Sequence, residues 1–411
     1  MKKEEVFTMS YENEARLEDA YLMPTYARKA VELVSGQGMR VNDSTGCSYL
    51  DFIAGVGADS LGHCHPAVVA ALNAQAQRLI HVSNYYYIEG RGELAHTVSN
   101  LLNACVPLAQ RSPWRSFFSN SGAESNECAI KLARLYSKRF SHGGLNIITL
   151  DHSFHGRTLA TLAATAQPAK QESFKPLPQG FLHTPLNDIP ALEALFAAHP
   201  QGICAIMLEV IQGESGVHPA TAEFLQAASR LAHENGALLI CDEVQTGIYR
   251  CGTHPFAFQH FSCTPDIVTI AKGIASGFPT GLCAARSEVA AAFAPGDHGS
   301  TFGGSPLAIA AARATLATIE AEGLPAQVSE VGAYFREQLA TLEGVTQVRG
   351  RGLMCACDLA AGIDAFQVVA RGLENGLLLN ATGASTLRFL PPLVCTRSEI
   401  DELLAKLEHL F

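Results

Sequence analysis

The sequence predicts an α/β protein, with a large domain on a mainly parallel sheet sandwiched by helices and a smaller α+β domain behind it. Three observations predict this. From about residue 115 to 285, short apolar runs alternate with longer helical patterns, the signature of βαβ units. The residues with chemical potential stand just past those runs, where open α/β sheets place their ligands. After roughly residue 305 the pattern changes to two long helices and then short strands.

The apolar runs are Trp114–Ser119, Asn146–Leu150, Gly202–Glu209, Ala237–Cys241 and Asp266–Ile270. Several are near-continuously apolar, which suits strands buried on both faces. Helical patterns lie at Glu124–Phe140, Ile189–Ala198 and Ala220–Asn235, and beyond the change at Pro306–Glu322 and Leu324–Leu342. The expected division is a large domain over residues 50–305 and a small one over 306–411, with residues 1–49 packing against the small one. A chain of 411 residues is long for one core, which agrees with two domains.

Composition excludes several classes of function. Hydrophobic residues make up 48% and charged residues 17%, far from a disordered chain. The net charge is -10 with no basic stripe, so no nucleic-acid partner is expected. Charges interrupt the N-terminal stretch, which reads as no signal peptide. No apolar run approaches the ~18 residues that span a bilayer, so no membrane partner is expected either. Twelve cysteines are scattered without repeated spacing, which suits free thiols in a cytoplasmic protein. Gly62-His63-Cys64-His65-Pro66 has no second ligand pair at metal spacing, and no metal site is expected. Cys355 and Cys357 read as core. The remaining histidines form no constellation.

Three stretches carry chemistry. Lys272 directly follows a buried strand, where an unpaired ammonium is costly; a lowered pKa with Schiff-base use is one solution, and an outlet to solvent is the other. Asp242 ends an apolar run and needs a cationic partner, such as a protonated pyridine nitrogen, or else serves as a helix cap. Ser121-Gly122-Ala123 opens a helix and fits an anion cradle, while Ser121-x-x-Glu124 also reads as an ordinary capping box. No dinucleotide fingerprint or Walker-type phosphate loop occurs.

Taken together, ordered motifs along almost the whole chain resemble the class III aminotransferases, a branch of the fold type I pyridoxal 5'-phosphate (PLP) enzymes. They include Leu50-Asp51-Phe52, Asn120-Ser121-Gly122-Ala123-Glu124, Ser153-Phe154-His155-Gly156-Arg157-Thr158 and Gln212-Gly213-Glu214. Asp242-Glu243-Val244-Gln245-Thr246-Gly247, the Lys272 stretch, Gly299-Ser300-Thr301-Phe302-Gly303-Gly304 and Arg388-Phe389-Leu390-Pro391-Pro392 continue the series. The resemblance implies that Lys272 holds PLP covalently, is displaced by substrate and then moves a proton as a free amine. It implies that Asp242 pairs with the pyridinium nitrogen, Gln245 bonds the ring 3-oxygen, and Val244 and Phe154 cover the two ring faces. Ser121, Gly122 and Ala123 would hold the phosphate, with Thr301 reaching across from the second subunit of a homodimer. Ser300, beside it in the same block, is expected at the substrate.

For substrate, the resemblance implies that Arg157 reads one carboxylate and that Arg388 binds the keto acid only when Glu214 releases it. Within the class, Arg157, Glu214 and Arg388 most resemble the acetylornithine branch, with the ornithine enzymes close behind. The implied reaction moves the ω-amino group of N-acetylornithine or a similar donor to 2-oxoglutarate, giving a semialdehyde and L-glutamate, as in arginine biosynthesis. Ornithine, succinylornithine and 4-aminobutyrate are alternative donors. A glutamate-semialdehyde-type aminomutase needs no keto-acid switch, so Glu214 with Arg388 argues against it. The sequence departs from the family pattern at Val210, Ser305 and Asn42.

Overall fold

The computed structural model describes residues 11–261 and 263–411. Its centre is a seven-stranded sheet. In chain order the strands are β1 (Trp114–Ser119), β2 (Asn146–Leu150), β3 (Phe181–Thr184), β4 (Ile203–Leu208), β5 (Leu238–Asp242), β6 (Ile267–Ile270) and β7 (Gly281–Arg286). Their spatial order is β1-β7-β6-β5-β4-β2-β3. The β6–β5, β5–β4, β4–β2 and β2–β3 pairs are parallel, and β7 runs antiparallel to both its neighbours. Every residue of β4, β5 and β6 is buried, because helices cover both faces of the sheet. The α/β class therefore holds, and the five apolar runs are five of the seven strands.

Two strands were not expected. β3 is a half-exposed edge strand. β7 reads Gly-Leu-Cys-Ala-Ala-Arg and is almost wholly buried; its small residues have low strand propensity, and β1 and β6 on either side hold it in the sheet.

The C-terminal part carries a second, four-stranded antiparallel sheet in the order Val345–Arg351, Met354–Leu359, Thr386–Phe389, Asn380–Gly383. Helices Leu324–Leu339 and Arg397–Leu407 belong to the same region. Ser48–Asp51 pairs in parallel with Leu377–Leu378, matching Leu50 with Leu377, so the N-terminal hairpin is tied to the C-terminal part. The first ten residues of that N-terminal segment lie outside the described residues. Cys355 and Cys357 are fully buried. Among the described residues, no helix is long and apolar enough to cross a membrane, and no cluster of three or more metal-ligating side chains occurs.

Candidate active site

A cavity of about 360 Å³ opens at the carboxyl ends of the parallel strands. It gathers Ser121, Gly122, Ala123, Phe154, Arg157, Glu214, Asp242, Val244, Gln245 and Lys272. Residues from 121 to 272 in the chain thus converge because strands that alternate with helices all end on the same edge.

Lys272 follows β6 in the left-handed region, at φ 48°. A side chain is strained there, so neighbours must hold the turn. Ser60 Oγ donates to Gly273 O at 2.7 Å, and Leu61 N donates to Ser276 Oγ at 3.0 Å. Burial pushes the Lys272 ammonium toward its neutral form, and the Arg388 charge works the same way against the pull of Glu214, Asp242 and Glu209. Lys272 does not simply reach solvent: its side chain faces the cavity.

Asp242 ends β5 under a set of fixed donors. Its Oδ2 accepts from Asn126 Nδ2 at 2.8 Å and meets His155 Nδ1 at 2.8 Å, and its Oδ1 accepts from Val244 N at 3.0 Å. Burial disfavours a charged His155, but the hydrogen bond and charge of Asp242 outweigh it and raise the imidazole pKa above its ordinary value. His155 is a correction to the sequence reading, which set it aside although it lies inside the Phe154–Thr158 block. Asn126 was missed in the same way, inside the Ser121–Glu127 stretch.

Ser121 is a helix cap that also lines the cavity. Its Oγ accepts from Glu124 N at 3.2 Å as the cap of helix Gly122–Phe140, and its backbone lines the cavity. The cradle has a second reason for Gly122: a Cβ there would lie 2.6 Å from Val244 Cγ1. The missing side chain therefore lets Val244 pack against the helix start, which sets the spacing between cradle and cavity wall.

Glu209, also missed, lies deep in the cavity wall. Its carboxylate accepts from Phe154 N at 2.8 Å and Gly213 N at 3.2 Å. Burial pushes its pKa up to about 7 despite the nearby His155, and its two bonds fix the backbone at Phe154 and Gly213.

Arg388 enters from the second sheet. It stands on Thr386–Phe389, between Ala356 and Asn380 in register, and is buried. Its Nη1 pairs with Glu214 Oε1 at 2.8 Å and donates to Gly213 O at 3.0 Å. Gln245 Nε2 donates to the same Glu214 oxygen at 3.1 Å. Burial opposes the Glu214 charge, but Arg388 prevails and lowers its pKa. Arg157 is exposed at the cavity mouth, its guanidinium 5.7 Å from the Phe154 ring centre.

Two expected residues are not brought into this cavity by the single chain. Ser300 and Thr301 line an adjacent one of about 290 Å³ with Glu124 and Glu127. The two spaces meet at Asn120, whose Nδ2 donates to Ser300 Oγ at 3.2 Å.

The cavity's own groups can be tested against PLP. Gln245 Oε1 and Thr280 Oγ1 are buried without hydrogen-bond partners, and both residues line the cavity. A helix N-terminus, an amine and a buried carboxylate stand around the same space. An anionic head, an aldehyde, a ring hydroxyl and a basic ring nitrogen therefore each find a complementary group, and the residues fit PLP.

Fold and site define a transaminase-type enzyme, and the comparisons agree: residues 23–411 match the model of the family described as aminotransferase class-III. The chain belongs to that family, whose members depend on PLP. It is 48% identical over 398 residues to the acetylornithine aminotransferase of Caldanaerobacter subterraneus subsp. tengcongensis, covering 95% of this chain and 97% of that one. It is 44% identical to that of Methanocaldococcus jannaschii, covering 98% and 99%. Among solved structures, an ornithine aminotransferase from Toxoplasma gondii superposes with a TM-score of 0.90 at 31% identity, covering 98% of this chain and 94% of that one. An acetylornithine aminotransferase from Elizabethkingia anophelis gives 0.85 at 33%, covering 98% and 99%.

Proposed function

We propose that this aminotransferase moves the terminal amino group of N-acetylornithine to 2-oxoglutarate, giving the semialdehyde and L-glutamate in arginine biosynthesis, with PLP held at Lys272. Relatives at 43–48% identity that carry the acetylornithine name support the donor. The observation that carries the reading is the Arg388–Glu214 ion pair at 2.8 Å on the wall of the Lys272 cavity.

When bound, PLP supplies an electron sink that makes an amino group transferable. Ser121, Gly122 and Ala123 would hold its phosphate, Gln245 its 3-oxygen, Val244 and Phe154 its faces, and Asp242 its ring nitrogen. The chain's own work is then proton handling and carboxylate recognition. Lys272, kept toward neutrality by burial, accepts and returns a proton at the reacting carbon. Arg157 forks onto the carboxylate that each substrate carries away from its reacting carbon. While Glu214 neutralises Arg388, the pocket admits the carboxylate-free end of an ω-amine donor. A diacid brings its own carboxylate, and Arg388 exchanges Glu214 for it.

Arg388→Ala should therefore slow the half-reaction with 2-oxoglutarate about a hundredfold, while the half-reaction with N-acetylornithine changes only a few-fold. Single-turnover absorbance changes, recorded separately for each half, provide the measurement. Equal losses in both halves would make Arg388 a structural residue and end the switch. A panel of N-acetylornithine, ornithine, succinylornithine and 4-aminobutyrate as donors tests the substrate itself, and a higher kcat/KM for any of the other three would replace it.

We further propose a cytoplasmic homodimer in which Thr301 of one chain completes the phosphate site of the other, and the domain division at residues 50 and 305 described above. Twelve unpaired cysteines support the compartment. Tyr85, Tyr87 and Phe302 are largely exposed near the Thr301 cavity, and large apolar side chains gathered on one surface suit an interface. Sedimentation should give a dimer with an interface above ~2,000 Å². A fully active monomer at assay concentration would refute this assembly.

A further inference from the structure

A pair of thiols lies behind the phosphate cradle and takes no part in the chemistry above. Cys128 is on the second turn of helix Gly122–Phe140, and Cys283 is the third residue of β7. Both are buried, and both line one small cavity. That cavity, of about 130 Å³, is also lined by Arg115, Phe117 and Phe293. It is roomy enough for a water-sized molecule, and Ser116 Oγ beside it is buried without a partner. The His298 imidazole stands near Cys128 and acts on its charge. That imidazole packs on Phe117 at 4.5 Å and meets Lys131 Nζ at 3.0 Å.

We propose that Cys128 and Cys283 are a thiol pair that a hydroperoxide converts to a disulfide, tying the cradle helix to β7. The donors around it favour the Cys128 thiolate. The Cys283 thiol lowers the Cys128 pKa most, and His298 and Lys131 add to it against burial, while Cys283 is held protonated. Cys128 attacks one peroxide oxygen, the O–O bond breaks, and the departing hydroxide takes a proton to become water. The resulting sulfenic acid is attacked by Cys283, the S–O bond breaks, and the second hydroxide leaves as water with the Cys283 proton. Two thiols lose two electrons, and one hydroperoxide gains them.

The bond has a route to the active site. A disulfide holds its sulfurs about 2 Å apart, and forming one between these two cysteines draws helix and strand together. At the start of β7 there is no slack for this movement. A Cβ on Gly281 would already lie 2.5 Å from Ser121 O and 2.6 Å from Ser125 Oγ. The shift is passed to Ser121 and Gly122, and on the same helix to Asn126, which holds Asp242.

Peroxide treatment of the holoenzyme, followed by thiol alkylation and non-reducing peptide mapping, tests this. The exposed Cys47, Cys64 and Cys105 serve as internal standards. The expected result is a Cys128–Cys283 crosslinked peptide, with activity lowered about tenfold and restored by dithiothreitol. Cys128→Ser and Cys283→Ser should each keep the untreated activity and lose both the crosslink and the reductant-reversible inhibition. The proposal fails if the crosslink is missing once the exposed thiols are oxidised. It fails equally if both serine variants lose and recover activity as the parent does.

Discussion

Lys272→Ala abolishes turnover, by an expected three orders of magnitude or more, and leaves the fold and part of the cofactor affinity intact. Lys272 is the only lysine among the described residues that line the cavity, so the covalent attachment and the proton transfer rest on it. Positioned acid–base catalysis alone is worth roughly a hundred- to ten-thousandfold, and the covalent step adds to it. The fold should survive because the left-handed backbone at residue 272 is held by Ser60, Leu61 and Ser276. Borohydride reduction of the parent protein should fix the cofactor mass to the Lys272 peptide, and the variant should show none. Turnover within tenfold of the parent, or a modified peptide elsewhere in the chain, would displace Lys272 from this role.

Asp242→Asn comes next in size. Asparagine keeps the shape but removes the negative charge that His155 Nδ1, Asn126 Nδ2 and Val244 N are arranged to hold. A ring nitrogen facing a neutral amide loses the partner that keeps it protonated. We expect a loss of at least ~3 kcal/mol in the transition state, about a hundredfold in rate. A thermal melt serves as the control, because an amide N–H turned toward His155 and Asn126 also disturbs the buried network. A rate change below threefold with an unaltered melt would show that another group protonates the ring.

Much of this site was legible because its residues sit next to signals that local sequence carries. Lys272 and Asp242 end strands so continuously apolar that a charge there stands out. Ser121-Gly122-Ala123 opens a helix with an unmistakable start. His155 and Asn126 were harder to see. Neither has a local partner, and their meaning comes from Asp242, which lies 87 and 116 positions away. Glu209 was placed at the end of its strand, but not its two backbone donors or its raised pKa. β7 went unread because an alanine-rich run becomes a strand only between β1 and β6.

By itself the sequence determined the class of fold, five of the seven central strands and the cluster of chemical groups at their carboxyl ends. Those follow from hydrophobic periodicity and from strands alternating with helices, which are local properties. The Arg388–Glu214 pair was implied by the resemblance, but only the tertiary structure decided that it joins a strand of the other sheet to the cavity wall at 2.8 Å, and that Gly122 is needed to seat Val244. It also decided that Ser300 and Thr301 face a neighbouring cavity instead of the Lys272 cavity of their own chain. The physical reason is the same in each case. Burial, desolvation and pairing between residues far apart in the chain depend on which surfaces pack together, and a run of neighbouring residues carries no record of that.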